Sequence, residues 1–296
     1  MPPTTRETWR MSDGDTASIE RIWGQKNAPR VIIFHGLEGG AHSTYARGVL
    51  HEAIRRGWFA DLVLWRTCDG RLVNDVVRSY HSGASDDAAE AIAHILSGDP
   101  ARPTFLLGVS LGGNVMLKWL AERASEMPPA IRAAAGVSVP FDLAAASRKL
   151  EQGFSRVYSR FFLRKLQAKA VAKLDKFPHA GDRTSILGTT TLEEFDDLFT
   201  APVNGFASAA DYYERSSALR FLSDVRVPSL LFNAIDDPFL PPEVLDEVRE
   251  AAAGNPNLTC VFPPNGGHVG FVAGSMPGRP VYWMESAVLD WFERRL

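Results

Sequence analysis

Residues Thr104 to Leu117 read T-F-L-L-G-V-S-L-G-G-N-V-M-L, and no other stretch restricts the fold of this chain so sharply. An apolar run, Phe105-Leu106-Leu107, leads into Gly108-Val109-Ser110-Leu111-Gly112, and an apolar-periodic segment follows. That order predicts a strand, a sharp turn and a helix, the setting in which G-x-S-x-G presents a nucleophilic serine. The turn forces Ser110 into a strained backbone conformation, and glycine at the flanking positions leaves room for close approach. The helix after Ser110 would direct free N–H groups and its positive dipole end at an oxygen held there. A glycine-rich chain can produce G-x-S-x-G by chance; the strand-turn-helix setting argues against chance here.

The neighbouring segments extend the same pattern. Residues 6 to 23 alternate around Asp13-Gly14-Asp15 and predict a hairpin. Val31 to Phe34 is a continuous apolar run, as in a strand covered on both faces, and it ends in His35-Gly36-Leu37-Glu38-Gly39-Gly40. A helix over 44–56, a strand over 59–65, a helix from Ser85 to about Leu96 and a strand from Ile131 to Val139 follow. Asp86 and Asp87 fall in a first helical turn, where acids favour the dipole. Strands return at 229–233 and 258–262, with helices over 242–253 and 282–295. The alternation predicts an α/β fold: a mostly parallel central sheet with helices on both faces.

Between these two halves, residues 144–225 are helical in character, so the expected organisation is a core of 1–143 and 226–296 carrying a helical lid. Phe154, Val157, Tyr158, Phe161, Phe162 and Leu166 form an amphipathic stripe flanked by Arg148, Lys149, Arg156, Arg160, Arg164, Lys165, Lys169, Lys173 and Lys176. A basic amphipathic helix can touch an anionic membrane surface, but a solvated outer face of a lid packed on the core explains the pattern as well. The acidic stretch Thr191 to Phe199 favours the second reading.

The net charge of −3 gives no reason to expect nucleic-acid binding. Two cysteines, Cys68 and Cys260, argue against a disulfide framework and fit a reducing compartment. The first ten residues lack the apolar core of a signal peptide, and no apolar run approaches the roughly 20 residues of a membrane span. The expectation is a cytoplasmic protein.

A serine hydroxyl needs a base to take its proton, and the base needs a third group to hold its tautomer. In chain order the sequence offers Ser110, then Asp236 or Asp237, then His268, each just past the end of an expected strand. Asp237 lies three residues after Ala234 and four before Pro241, a spacing that the resemblance given below associates with the acid, and it is favoured on that ground; the other member of the pair could cap the following helix. Two N–H donors are needed for the oxyanion. Leu111, directly after the serine, supplies one, and Leu37 in the early glycine-rich loop supplies the other. His35 is expected to tie that loop by hydrogen bonds. Glu38 and His42 lack a third partner at ligand spacing, so no metal and no cofactor is expected.

Taken together, H-G-L-E-G at 35–39, R-S-Y-H-S-G at 78–83, G-V-S-L-G-G-N at 108–114, N-A-I-D-D-P-F at 233–239 and G-G-H-V-G-F at 266–271 resemble the YheT-like branch of the α/β-hydrolases. That branch is in turn similar to the eukaryotic lipid-active ABHD proteins. The resemblance implies the α/β-hydrolase fold and cleavage of carboxylic esters through an acyl-enzyme, with Ser110, one of Asp236 and Asp237, and His268 as the triad. The segment Arg66 to Asn74 departs from the glycine-richer loop of that branch. His81 to Asp86 matches an H-x-x-x-x-D pattern read there as an acyltransferase signature, although Asp86 already has a role at a helix start. The expected partner is a small ester with an apolar acyl group of short to medium length. The same nucleophile could instead pass the acyl group to an alcohol or thiol, and a binder that keeps the fold without chemistry is the remaining alternative.

Overall fold

The computed structural model describes residues 3–274 and 281–296. Eight strands make one sheet: β1 (Thr5–Arg10), β2 (Thr16–Ile22), β3 (Arg30–Phe34), β4 (Phe59–Leu64), β5 (Thr104–Val109), β6 (Ile131–Val137), β7 (Ser229–Phe232) and β8 (Leu258–Val261), in the spatial order β1-β2-β4-β3-β5-β6-β7-β8. The expected hairpin is β1–β2; it joins the edge antiparallel through β2 and β4, and the other pairings are parallel. β4 and β5 flank β3, so the winding direction reverses at β3. In such sheets the crevice at the carboxyl ends of the strands, at that reversal, is where ligands sit.

Every residue of β3, β4 and β5 is buried. Alternate side chains serve opposite faces. Val31 and Ile33 pack beneath α1 (Thr44–Arg55), while Ile32 and Phe34 pack beneath α2 (Ser85–Ser97) and α3 (Leu111–Glu122). These two apolar layers are what hold the strand ends, and the loops leaving them, in fixed register.

From β6 to β7 the chain is helical, and no strand occurs there among the described residues. The segment comprises α4 (Leu143–Leu150), α5 (Ser155–Lys176), α6 (Arg183–Gly188), α7 (Leu192–Phe195), a π-helical turn (Asp196–Thr200), α8 (Ala201–Val203) and α9 (Ala209–Ser216). Asp142 caps α4 by accepting from the Ala145 N–H, and Thr191 with Glu194 forms a capping box on α7. Leu163, Leu174, Ile186, Phe195 and Phe199 give this segment an apolar centre of its own. The return to the sheet is followed by α10 (Pro242–Ala253) and, at the end, α11 (Trp283–Glu293).

Four expectations need correction. The apolar stripe at 154–166 is split: Phe154, Val157, Tyr158 and Phe161 are exposed, only Phe162 and Leu166 pack inward, and the buried face of α5 is Ser155, Ser159, Leu163, Ala170, Lys173 and Leu174. Nor are all its basic residues solvated, since Lys173 is buried and Lys169 is ion-paired inward. Lastly, β6 stops at Val137, because Ser138 has φ +52° and leaves the extended conformation, and Tyr282 belongs to a small antiparallel pair, β9 (Val272–Ala273) with β10 (Val281–Tyr282), ahead of the closing helix.

Candidate active site

Ser110 stands between β5 and α3 with φ +54° and ψ −125°, a conformation that a non-glycine residue adopts only at a cost of about 1–3 kcal/mol. Neighbouring glycines make the turn sterically feasible. A Cβ on Gly108 would meet the Gly113 Cα at 2.5 Å, and one on Gly112 would meet the Phe34 carbonyl oxygen at 2.2 Å. α3 therefore begins hard against the end of β3, with Ser110 at its N-terminus.

The structure brings Ser110, Asp237 and His268 together. Ser110 Oγ and His268 Nε2 are 2.9 Å apart, and His268 Nδ1 lies 2.9 Å from Asp237 Oδ2 and 3.1 Å from Oδ1. A ring with its Nδ1 proton on the carboxylate leaves Nε2 free to accept from the serine hydroxyl. Asp237 is buried, and its Oδ1 also accepts from the Phe239 N–H at 2.8 Å. The Phe239 ring stacks on the His268 ring, centroids 4.0 Å apart. Asp236 does a different job: its Oδ1 accepts from the N–H groups of Gly266 and Gly267, at 2.9 and 2.8 Å, and so holds the loop that carries His268. Ser138 Oγ donates to the His268 carbonyl from the other side.

Leu37 and Leu111 line the same cavity as Ser110, and among the described residues their N–H groups donate to no other protein acceptor. The loop carrying Leu37 is fixed at several points. His35 Nδ1 donates to the Gly36 carbonyl at 2.7 Å, its Nε2 accepts from the Trp65 N–H, and burial lowers its pKa to about 4, so the ring stays neutral. Tyr45 Oη accepts from the Gly36 N–H at 2.8 Å. Glu38, at φ +54°, accepts from Tyr80 Oη at 2.7 Å and pairs with Lys169 Nζ at 2.7 Å. Glu38 is thus committed to the loop's structure.

His81 and Asp86 are not joined. His81 is buried between Phe206 and Tyr212, its Nδ1 accepts from the Gly83 N–H, and burial lowers its pKa to about 3. Asp86 is exposed in the first turn of α2, whereas Asp87 is buried on Arg66. Burial pushes the Cys68 thiol up to about 12, so it stays protonated.

The cavity over Ser110 measures about 120 Å³. Much of its wall comes from the helical segment, through Leu143, Leu150, Phe162, Leu166, Asp196 and Tyr213. Phe239, Lys169 and Asp196 carried no site reading in the sequence. Phe239 sits inside the N-A-I-D-D-P-F motif, which is the only signal that points to it; nothing local distinguishes the other two.

A sequence profile of the α/β-hydrolase fold matches residues 29–275. The chain belongs to the α/β-hydrolase family. This α/β-hydrolase is 36% identical to YheT of Escherichia coli (strain K12), an esterase by name, over 95% of its own length and 82% of that protein. It is 28% identical to the mouse phospholipase ABHD3, covering 95% of this chain and 70% of that one. Among solved structures, the Pyrococcus furiosus esterase Pf2001 shares the fold with a TM-score of 0.61 at 14% identity, over 99% of this chain and 90% of that chain. Among the described residues of this α/β-hydrolase, no helix is long and apolar enough to cross a membrane.

Proposed function

We propose that this α/β-hydrolase is a serine hydrolase of small carboxylic esters. The observation that carries the reading is the continuous chain of contacts from Asp237 through His268 to Ser110 Oγ, at 2.9 Å on each side of the imidazole, on a strained turn at a helix N-terminus. Ser110 Oγ attacks the ester carbonyl carbon while His268 Nε2 takes the hydroxyl proton. Asp237 stabilises the imidazolium that forms. The Leu37 and Leu111 N–H groups receive the tetrahedral oxyanion, aided by the dipole of α3. His268 returns the proton to the leaving alkoxide, and a water activated by the same nitrogen hydrolyses the acyl-enzyme. The names borne by the relatives, esterase and phospholipase, agree with ester cleavage.

The helical segment serves as the lid of this site, since it supplies much of the cavity wall. A cavity of about 120 Å³ is close to the size that holds one benzene molecule in a protein core, about 150 Å³. An acyl group of about four to six carbons is therefore preferred over a long chain. The test is fluorophosphonate labelling of wild type beside Ser110→Ala, followed by p-nitrophenyl esters from acetate to palmitate. Labelling of wild type alone, with turnover greatest near butyrate and hexanoate, is the expected result. Turnover retained by Ser110→Ala would overturn the mechanism.

A further inference from the structure

The cavity beside Ser110 is apolar along most of its wall, but the side formed by the helical segment carries polar groups that the proposed mechanism does not use. Asp196, Tyr213, Tyr212, Ser147 and Thr200 all line it. Asp196 opens the π-helical turn Asp196–Thr200, directly after the capped helix α7. Turns of this kind interrupt regular helix and recur at functional positions. Tyr213 Oη donates to Asp196 Oδ2 at 2.8 Å and lies 3.3 Å from Ser147 Oγ. Tyr212 Oη accepts from the Ser82 N–H at 2.9 Å, which leaves its own proton free.

The charge balance at this end is one-sided. Among the described residues no lysine or arginine lines the cavity and none pairs with Asp196; the nearest basic side chains on the wall are His81, which burial keeps neutral, and His268, which is engaged by Asp237. A carboxylate offers about four acceptor sites, more than Tyr213 and Thr200 can fill. Burial lifts the Asp196 carboxyl to about 6, so at neutral pH it is ionised and lacks a cationic partner. A charge held in this way gains from any donor that a ligand brings.

We propose that Asp196 and Tyr213 form a subsite selecting esters that carry a hydrogen-bond donor, a hydroxyl or an ammonium, away from the scissile carbonyl. The inference rests on the reading that substrates occupy the Ser110 cavity. It assigns the apolar wall to the hydrocarbon part and the π-turn to a polar group attached to it. A carboxylate at that point is rejected by the charge on Asp196.

Non-hydrolysable amides test the subsite without relying on turnover. N-Ethylpentanamide, its 5-hydroxy, 5-amino and 5-carboxy derivatives, and N-(2-hydroxyethyl)pentanamide and N-(2-aminoethyl)pentanamide, which carry the donor at the other end, are titrated into wild type and Asp196→Leu by calorimetry at about pH 7.5. In wild type, donors on one end of the amide tighten binding about tenfold over the parent, and the carboxylate weakens it. Asp196→Leu removes both preferences. Should that variant not fold, Asp196→Asn keeps part of the preference for hydroxyl and loses the preference for ammonium. Equal or weaker binding of every donor-bearing amide in wild type overturns the proposal, as does the same order of affinities in Asp196→Leu or Asp196→Asn. Failure of the serine mechanism has a different signature: the order of amide affinities stands while no ester is turned over.

Discussion

Ser110 illustrates how one residue's backbone strain is distributed over its neighbours. Its positive φ is tolerated because Gly108 and Gly112 accept contacts that no Cβ could, and because the Ser110 N–H donates to the Val137 carbonyl at 2.8 Å. Gly112→Ala, whose Cβ would sit 2.2 Å from the Phe34 carbonyl oxygen, is expected to lower stability by about 2 kcal/mol or more, read as a fall in the denaturation midpoint. The two adjacent aspartates separate cleanly by experiment. Asp237→Asn should reduce kcat by about 10³ with the fold intact, since the imidazole loses its tautomer control. Asp236→Ala, which frees two loop N–H groups, should cost about 1–2 kcal/mol of stability and much less in kcat. Denaturation curves and steady-state kinetics on the pair distinguish these outcomes; the reverse ranking exchanges the two roles.

Asp196 gives a pH signature at the same scale. Burial, with a smaller push from the charge of Glu193, lifts its carboxyl from 3.8 to about 6. Between those values the folded state holds a proton that the unfolded chain has released, so stability falls as pH rises through the window. The loss is on the order of 2 kcal/mol after allowing for the side chain's contact with the cavity. Asp196→Asn should flatten that slope in urea titrations between about pH 4 and 7. Ser110, His268 and the aspartate pair were legible because each follows a strand and sits in a short motif with local turn chemistry. Asp196 was not, because the stretch Thr191 to Phe199 reads as a solvated acidic surface: Glu193, Glu194 and Asp197 are indeed exposed, and only the fold turns Asp196 inward.

At the scale of elements, α5 does more than cover the site. Its lysines reach back to two loops of the core. Lys169 pairs with Glu38, the residue after Leu37, and Lys173 Nζ donates to Asn74 Oδ1 at 2.5 Å and to the carbonyls of Val77 and Arg78 at 3.0 and 2.7 Å. Lys173→Met would leave those acceptors unpaired in a buried place and should lower stability by about 2–4 kcal/mol. Lys169→Met removes the counter-ion of Glu38 and loosens the loop that carries the Leu37 N–H. It should lower kcat about tenfold with little change in KM, because the ground-state ester does not depend on that donor. Equal losses in both parameters would mean that Lys169 shapes the cavity instead. The sequence pointed to α5 as amphipathic and basic, but of its apolar stripe only Phe162 and Leu166 turn inward. Apolar periodicity identifies a helix but not the layer it packs on, and here small and polar residues, Ser155, Ser159 and Ala170, make the close contact while Phe154, Val157 and Phe161 remain outside.

At the scale of the whole molecule, segments far apart in the chain converge on one buried cation behind the loop that leads to Tyr80 on the cavity wall. Arg66, just after β4, holds Asp87 of α2 through two hydrogen bonds at 2.7 and 2.8 Å, Asp15 of the β1–β2 hairpin at 2.6 Å and Asp13 at 2.9 Å. Asp15 in turn accepts from Asn74 Nδ2 at 2.6 Å and from the Asp75 N–H at 3.0 Å, which fixes the irregular stretch leading to Tyr80. The alternating strands and helices made the parallel core readable from residue 31 onward, because patterning is local. This cluster was not readable, since Asp15, Arg66 and Asp87 each look like ordinary surface charges until the hairpin closes on the sheet edge. Removing the cation while leaving its partners buried is costly. Arg66→Met is expected to lose about 3–5 kcal/mol of stability, through the uncompensated charges of Asp15 and Asp87. Coupling to the site follows from geometry: the loosened stretch includes Tyr80, whose hydroxyl holds Glu38 beside Leu37. Under conditions where Arg66→Met stays folded, turnover should fall while fluorophosphonate labelling of Ser110 persists, because β5 and α3 do not depend on the hairpin. Loss of labelling in proportion to turnover would show instead that the strained turn at Ser110 itself relies on this distant edge of the sheet.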